Sequence, residues 1–289
     1  MTDKRLLLVL ALCGASVFAA QEKTEKKHSS CLTAAEDPSR AKDFVVDPSR
    51  TYPMLFIVGD STVHNAHRVQ RSWGDVIAAH FAADRIRVEN HALGGRSSRT
   101  FITQGWWELV LKAAKPGDFV LIQMGHNDSG PLDDTSRARG TLRSLGEETK
   151  EIFNPITQQK ETVHTYGWYL RKYVADARAK GMTPILCTPI PHCPVAQVKP
   201  GEVEDSAYVR LTAAVAEAEK VALVDINRLT MAEYAKLTPE EVKSRHFTPA
   251  DGIHTSIAGA ELNAHSVVSG LRLLKDCPLA GYLKGEEKK

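Results

Sequence analysis

Short apolar runs that alternate with amphipathic helical patterns are the feature that most limits how this chain can fold. The runs occupy 54–58, 87–92, 119–124, 183–187 and 222–226. Runs of this length that are apolar on both faces are typical of strands buried in a parallel sheet. Between them, apolar residues recur at helical spacing, as they do over 166–177. This alternation predicts a three-layer α/β/α sandwich.

The N-terminal end of the chain has the layout of a secretory signal peptide over residues 1–20. Lys4 and Arg5 precede an apolar run, and small residues follow it. The run is too short to cross the roughly 30 Å of a bilayer core, which argues against a membrane anchor, and a lipid-modified Cys13 is a second alternative. We therefore expect the protein to be periplasmic or secreted.

The rest of the chain divides by composition. We predict a flexible leader over 21–45, a single domain over 46–283 and a charged tail over 284–289, because both flanking segments are polar and aperiodic. The formal net charge is +2, with acids and bases intermixed. That balance gives no reason to expect nucleic acid or a membrane surface as a partner, and we expect a monomer.

Four cysteines follow the predicted signal peptide: Cys31, Cys187, Cys193 and Cys277. An even number of cysteines in an exported chain permits disulfides, and the small loop between Cys187 and Cys193 is the simplest bridge. The alternative is that Cys187 is a free thiol buried in a strand. The cysteine spacing does not indicate a zinc site.

One long polar stretch, residues 129–164, interrupts the alternation of runs and helices. It follows the third apolar run, so it is expected over the carboxyl edge of the sheet, where open α/β sheets bind their ligands. Loops of this length are uncommon unless they serve a function. We therefore expect a substrate-facing loop, and the alternative is a disordered surface insertion.

Three polar segments begin where an apolar run ends, and each is ambiguous by itself. Ser61 is either an exposed nucleophile that needs a neighbouring base or the N-cap of a helix. Gly94 and Gly95 either let backbone N–H groups approach a ligand or form a tight turn. Asn127 either donates to a developing oxyanion or forms an Asx-turn.

A fourth segment places an acid three residues before a histidine. Asp251 can accept a hydrogen bond from Nδ1–H of His254, which leaves Nε2 free to act as a base, as in a Ser-His-Asp triad. The alternative is a histidine in a surface turn.

In this order, the four segments resemble the SGNH, or GDSL-like, hydrolase superfamily over about residues 52–274. Its four blocks carry serine, glycine, asparagine and histidine, which are matched here by Ser61, Gly95, Asn127 and His254. Four motifs are similar to those of bacterial rhamnogalacturonan acetylesterases, carbohydrate esterase family twelve. They are Gly-Asp-Ser-Thr, the Ser-Trp-Gly-Asp and Gly-Arg-Ser-Ser-Arg-Thr-Phe segments that follow it, and Gly-His-Asn-Asp.

The resemblance implies a flavodoxin-like five-stranded parallel sheet and a serine esterase that removes acetyl groups from a plant cell-wall polysaccharide. Ser61 would be the nucleophile, His254 the base and Asp251 the acid that orients it. The backbone N–H groups of Ser61 and Gly95 and the side chain of Asn127 would hold the oxyanion. Neither a metal nor an organic cofactor is implied.

The candidate substrate contacts are Asp60, Thr62, Trp73, Arg96, Arg99 and His126. Arginine binds carboxylates in a two-pronged way, so Arg96, Arg99 and residues of the 129–164 stretch are candidates for binding galacturonate. Arg99 could equally be a charge on a helix surface, and the tryptophans could fill the core. Two other functions stay open: esterase activity on xylan or other small acyl esters, and a non-catalytic carbohydrate-binding role on the same fold.

Overall fold

The structure, a computed structural model, describes residues 27–65, 67, 69–193, 207–249 and 251–285. The predicted signal peptide, Cys13 and most of the predicted charged tail lie outside these residues. Within the described ranges, no helix has both the length and the apolar character needed to cross a bilayer.

A five-stranded parallel sheet forms the middle layer. The strands of the described residues are β1 (Met54–Gly59), β2 (Arg87–Asn90), β3 (Phe119–Gln123), β4 (Thr149–Asn154), β5 (Gln159–His164), β6 (Thr183–Cys187) and β7 (Ala222–Val224). The sheet has the order β2-β1-β3-β6-β7 with every pair parallel. This flavodoxin-like arrangement confirms the predicted fold class.

Helices cover both faces of the sheet. They are α1 (Pro38–Ala41), α2 (Trp73–Val76), α3 (Ser98–Thr103), α4 (Trp106–Ala113), α5 (Tyr166–Ala179), α6 (Ala207–Ala218), α7 (Ile226–Tyr234), α8 (Pro239–His246) and α9 (Ile257–Leu273). The helical pattern over 166–177 corresponds to α5, whose N-cap Thr165 accepts a hydrogen bond from the backbone N–H of Trp168.

Two apolar cores lie on opposite faces of the sheet because successive side chains of a strand point to opposite sides. Phe56 and Val58 of β1 belong to the core that contains Trp106 of α4. Leu55 and Ile57, which alternate with them along the strand, belong to the second core, which includes residues of α9. The resulting three layers explain why the strand runs are apolar at every position.

The polar stretch 129–164 is not a single loop, contrary to our expectation. β4 and β5 pair there as an antiparallel hairpin, with Thr149 opposite His164 and Asn154 opposite Gln159. Most side chains on both faces of the hairpin are polar or solvent-exposed. The sequence therefore lacks the period-two alternation that indicates a half-buried strand.

The flexible leader predicted over 21–45 is wrong for the described residues 27–45. This segment contains α1 and two 3-10 turns, Ser29–Cys31 and Lys42–Phe44. Cys31 and Phe44 are each 3% exposed. These two side chains are buried against the domain, and backbone oxygens of the segment accept hydrogen bonds from side chains of the domain.

The four described cysteines are all free thiols. Cys187 lies at the end of β6 with a fully buried side chain, and this burial raises the pKa of its thiol well above the usual value. Of the two alternatives for Cys187, the structure therefore has the buried thiol and not the bridge to Cys193.

Candidate active site

The ends of three parallel strands bring the first three polar segments to one edge of the sheet. β1 ends at Gly59, two residues before Ser61, while Gly95 and Asn127 follow β2 and β3. β1 lies between β2 and β3. The chain therefore adds β2 on one side of β1 and then crosses to add β3 on the other side. Such a switch point opens a crevice at the carboxyl ends of the strands, which is where ligands bind in this class of sheet.

A tight turn after β1 presents Ser61. The carboxylate of Asp60 accepts a hydrogen bond from the backbone N–H of Thr62 at 2.8 Å, and the backbone oxygen of Asp60 accepts from Val63 and His64. The hydroxyl of Ser72, the N-cap of α2, donates to the backbone oxygen of Ser61 at 2.7 Å. These contacts fix the backbone of Ser61 while its side chain stays accessible.

His254 joins Ser61 to Asp251. The Nε2 atom of His254 lies 2.9 Å from the Oγ atom of Ser61, and its Nδ1 atom lies 2.8 Å from the Oδ2 atom of Asp251. The other carboxylate oxygen, Oδ1 of Asp251, accepts hydrogen bonds from the backbone N–H groups of Ile253 and His254. With Nδ1 protonated, Nε2 is the acceptor for the serine hydroxyl.

The surroundings of Asp251 favour its ionised form. Partial burial raises its pKa, but the hydrogen bonds from the His254 side chain and from the two backbone N–H groups outweigh that effect, so the pKa lies below its usual value. The carboxylate is therefore charged at neutral pH, and it can stabilise a protonated His254.

Three candidate N–H donors belong to residues that line this pocket: Ser61, Gly95 and Asn127. Among the described residues, no acceptor pairs with the backbone N–H of Ser61 or of Gly95. The amide of Asn127 donates one of its two hydrogens to the backbone oxygen of Arg96 at 2.7 Å, which orients the amide and leaves its second hydrogen available. Donors fixed in this way suit the developing charge of an oxyanion.

A buried carboxylate supports the segment that carries Asn127. Asp128 is fully buried, and its carboxylate accepts hydrogen bonds from the backbone N–H of Ser98, at the start of α3. Burial is the largest effect on its pKa and raises it to about 6, although the hydrogen bonds from Ser98 lower it. Asp128, the residue after Asn127, therefore connects the segment that follows β3 to the start of α3.

The pocket around Ser61 and His254 has a volume of about 620 Å³. Its described lining consists of His28, Ser29, Ser30, Ser61, Asn65, His67, Gln70, Gly94, Gly95, His126, Asn127, Arg137, Arg139, Ile253 and His254. The residues of the leader and the two arginines at 137 and 139 were not individually predicted from the sequence. Their Arg-Ala-Arg spacing, within a stretch expected to face the substrate, was the available signal.

Two of the predicted substrate contacts are structural instead. Trp73 is fully buried, and its indole N–H donates to the side chain of Gln123 at 2.8 Å. Arg96 is 6% exposed, and its guanidinium donates to the backbone oxygens of Ser29, Leu32 and Gly94. The tryptophan therefore fills the core, and the arginine anchors the leader.

Arg99 is also unavailable to a substrate. Its fully buried guanidinium forms a two-pronged ion pair with Glu161 of β5, at 2.7 and 2.8 Å. The remaining nitrogen donates to the backbone oxygens of Leu132 and Gly140, each at 2.9 Å. Arg99 therefore fixes both ends of the segment 132–140 beside the pocket.

The remaining candidates lie under or beside the pocket floor. Asp60 and Thr62 are fully or almost fully buried and bond to each other, so they shape the turn. His126 lines the pocket, and its Nε2 atom lies 3.0 Å from the backbone oxygen of Ile190. Of the six predicted substrate contacts, His126 alone lines this pocket. Within the described ranges, no group of three or more His, Cys, Asp or Glu side chains is arranged to hold a metal ion.

Comparison with known proteins gives a family match over most of the chain. The sequence model of the GDSL-like lipase/acylhydrolase family matches residues 57–262. A relative from Bacillus subtilis, named as the probable rhamnogalacturonan acetylesterase YesY, is 30% identical over 227 residues, which cover 76% of this chain and 93% of that protein.

A fungal relative and a crystal structure agree with this match. The rhamnogalacturonan acetylesterase of Emericella nidulans is 27% identical over 225 residues, covering 78% of this chain and 86% of the relative. The crystal structure of protein YxiM from Bacillus subtilis superposes with a TM-score of 0.62 at 26% identity. That alignment covers 79% of this chain and 58% of the YxiM chain.

Proposed function

The chain belongs to the GDSL-like lipase/acylhydrolase family, and from that premise we propose that it is a secreted serine esterase that removes O-acetyl groups from pectic rhamnogalacturonan. Membership makes it a carboxylic ester hydrolase. The observation that carries the proposed chemistry is the hydrogen-bonded chain from Ser61 Oγ through His254 to Asp251, with distances of 2.9 and 2.8 Å. A hydroxyl with a base in contact is an activated nucleophile.

The reaction proceeds in two halves through an acetyl-serine intermediate. Oγ of Ser61 attacks the acetyl carbonyl carbon as its proton moves to Nε2 of His254. The oxyanion accepts hydrogen bonds from the backbone N–H groups of Ser61 and Gly95 and from the amide of Asn127. When the tetrahedral intermediate collapses, His254 returns the proton to the departing sugar oxygen.

Water completes the cycle. It attacks the acetyl-serine carbonyl and gives a proton to His254, and collapse of the second intermediate releases acetate and restores the hydroxyl of Ser61. Throughout, the charge of Asp251 balances that of the imidazolium.

The polysaccharide substrate is supported by the names of the relatives and by the character of the pocket. The bacterial relative is named a probable rhamnogalacturonan acetylesterase, and the fungal relative a rhamnogalacturonan acetylesterase. Of the described residues that line the pocket, Ile253 alone has an aliphatic side chain. Such a lining matches a hydroxyl-rich sugar with a small acyl group better than a long acyl chain.

Secretion is supported by the signal-peptide layout of residues 1–20. Sequencing the N-terminus of the protein recovered from the periplasm or the culture medium tests it. A mature chain that begins close to residue 20 is expected, and an intact Met1 would contradict export by this route.

Acetate release from a panel of acetylated polysaccharides tests the substrate. We expect release from acetylated rhamnogalacturonan, lost in Ser61→Ala. Release from acetylated xylan without release from the pectic polymer would refute the substrate and leave the chemistry intact.

Labelling with a serine-directed fluorophosphonate separates the enzyme from a carbohydrate-binding protein on the same fold. We expect the wild-type protein to be labelled at Ser61 and the Ser61→Ala protein to be unlabelled. A correctly folded wild-type protein that resists labelling would favour the binding protein.

A further inference from the structure

Two arginines of the 129–164 stretch, Arg137 and Arg139, line the pocket without an ion pair to any carboxylate of the described residues. Among the described residues, the guanidinium of Arg137 has no hydrogen-bond or ion-pair partner. That of Arg139 donates to the backbone oxygen of Gly95 at 3.1 Å, and no carboxylate of a described residue forms an ion pair with it. The buried Arg50 and Arg99 each pair with a carboxylate, whereas the buried Arg96 donates to backbone oxygens.

The local electrostatics favour the binding of an anion. Burial lowers the pKa of Arg139, and the neighbouring charge of Arg137 lowers it further, despite attraction from three aspartates. Across the pocket, burial lowers the pKa of His28, and Arg137 is the largest of three arginine charges that add to this effect. Positive groups that repel one another in this way gain stability when an anion lies between them.

The backbone between the two arginines is held in an unfavourable conformation. Ala138 is 1% exposed and has φ of +46°, in the left-handed region that costs a residue with a Cβ roughly 1–2 kcal/mol. The carboxylate of Asp134 accepts hydrogen bonds from the backbone N–H groups of Arg137 and Ala138. Strain that is maintained by such contacts is common at functional sites.

The segment is also fixed at its two ends. The buried guanidinium of Arg99 donates to the backbone oxygens of Leu132 and Gly140, on either side of the two arginines. Because the backbone of this segment is already ordered in the folded protein, a ligand that binds Arg137 and Arg139 would cause a smaller loss of conformational entropy.

The position of the arginines relates them to the reacting ester. Nη1 of Arg137 lies 3.7 Å from the point where a Cβ on Gly95 would be, and Arg139 bonds to the same residue. Both guanidinium groups therefore stand beside the proposed oxyanion site. A ligand group bound there belongs to the sugar that carries the acetyl group or to its neighbour.

We propose that Arg137 and Arg139 form a carboxylate-binding subsite that selects substrates with a uronate group beside the acetylated hydroxyl. The planar guanidinium group matches the geometry of a carboxylate. Its charge-assisted hydrogen bonds to a carboxylate are stronger than hydrogen bonds to a neutral hydroxyl. This inference rests on the proposed function, because the subsite adjoins the reacting ester only if Ser61 is the nucleophile.

Calorimetric binding of unacetylated trigalacturonate tests the subsite without any turnover. The matched ligand is the same trimer after reduction of its carboxyl groups to alcohols. We expect the wild-type protein to bind the charged trimer at least tenfold more tightly, and added salt to reduce that difference. Equal affinity for the two trimers would overturn the proposal.

Variants assign the selectivity to the two arginines. Arg137→Gln and Arg139→Gln are each expected to weaken binding of the charged trimer roughly tenfold, since each loses a charge-assisted contact, and to change binding of the neutral trimer much less. Arg87→Gln is the matched control, because Arg87 begins β2 at the opposite edge of the sheet. An equal loss for both trimers, or no loss in the double variant, would contradict the subsite.

These measurements are independent of the proposed function. If the wild-type protein releases no acetate from acetylated rhamnogalacturonan but binds the charged trimer through the two arginines, the proposed function fails and the subsite stands. If acetate is released and the two trimers bind with equal affinity, the subsite fails and the proposed function stands.

Discussion

Ser30 of the N-terminal segment packs directly over Gly95, so that a methyl group added to Gly95 would lie 2.6 Å from the Cβ atom of Ser30. Gly95 also has φ of +79°, a backbone conformation that favours glycine. The proposed oxyanion donor is therefore fixed from two sides, by its own backbone and by a residue of the leader.

Gly95→Ala is expected to lower the free energy of unfolding by roughly 2 kcal/mol or more and to reduce acetate release, because the strained backbone and the contact with Ser30 act together. Urea denaturation and an acetate assay measure the two effects. Gly117→Ala is the matched control, since Gly117 has φ of +90° and no neighbouring atom within 4 Å of an added Cβ. Gly117→Ala should lower the free energy of unfolding only through the strained backbone, by roughly 1 kcal/mol, and should leave activity unchanged.

The steric part of this prediction has its own test. Adding Ser30→Gly to Gly95→Ala removes the close contact and should recover part of the lost stability. A double variant no more stable than Gly95→Ala would show that Ser30 is not the obstacle.

Asn127→Ala is expected to lower kcat by roughly 100- to 1000-fold with little change in KM, because the amide stabilises charge that develops only in the transition state. Steady-state kinetics with an aryl acetate measures both constants. Thermal denaturation is the control, since the hydrogen bond to the backbone of Arg96 is lost as well. A raised KM with an unchanged kcat would instead identify Asn127 as a ground-state contact.

Arg99→Gln is expected to destabilise the fold by roughly 3–5 kcal/mol, because it leaves the carboxylate of Glu161 without its buried partner. Urea denaturation measures the loss. Arg87→Gln breaks the exposed pair with Glu89 and should cost less than about 1 kcal/mol. An Arg99→Gln protein with wild-type stability and a raised KM would restore the original interpretation of Arg99 as a substrate contact.

Asp128 should make part of the stability depend on pH. Its pKa in the folded protein is about 6, against an ordinary value of 3.8. Because the folded value is the higher one, its contribution to stability is fully present below about pH 4 and is lost as pH rises through 6, by up to about 3 kcal/mol.

Asp128→Asn removes that titration, so the difference in unfolding free energy between wild-type and variant should change between pH 4 and pH 7, in favour of the variant at the higher pH. Denaturant unfolding at several pH values gives this difference. Parallel stability curves for the two proteins would show that Asp128 does not titrate in this range.

The sheet and the convergence of Ser61, Gly95 and Asn127 could be predicted from the sequence. Strands buried on both faces leave uninterrupted apolar runs, and the carboxyl ends of parallel strands share one edge. A local rule made His254 a candidate, because an acid three residues away can reach its Nδ1 atom, and the resemblance to the SGNH hydrolases decided against a histidine in a surface turn. Predictions of this kind depend on local spacing and on the geometry of the sheet.

The environment of single polar residues could not be predicted in this way. The partner of Arg99 is Glu161, 62 positions away on a hairpin whose residues show no alternation. Whether a tryptophan such as Trp73 faces a sugar or the core depends on which helix face is covered. The leader binds the domain through backbone oxygens, which any sequence possesses, and through a few buried side chains such as Phe44, so its composition gave no sign of the contact.

The pocket unites residues from distant parts of the chain. Its lining includes residues 28–30 and His254, which precedes α9. During synthesis, residues 28–30 emerge long before this histidine. A growing chain therefore has no complete ester-cleaving centre until the ribosome has passed position 254.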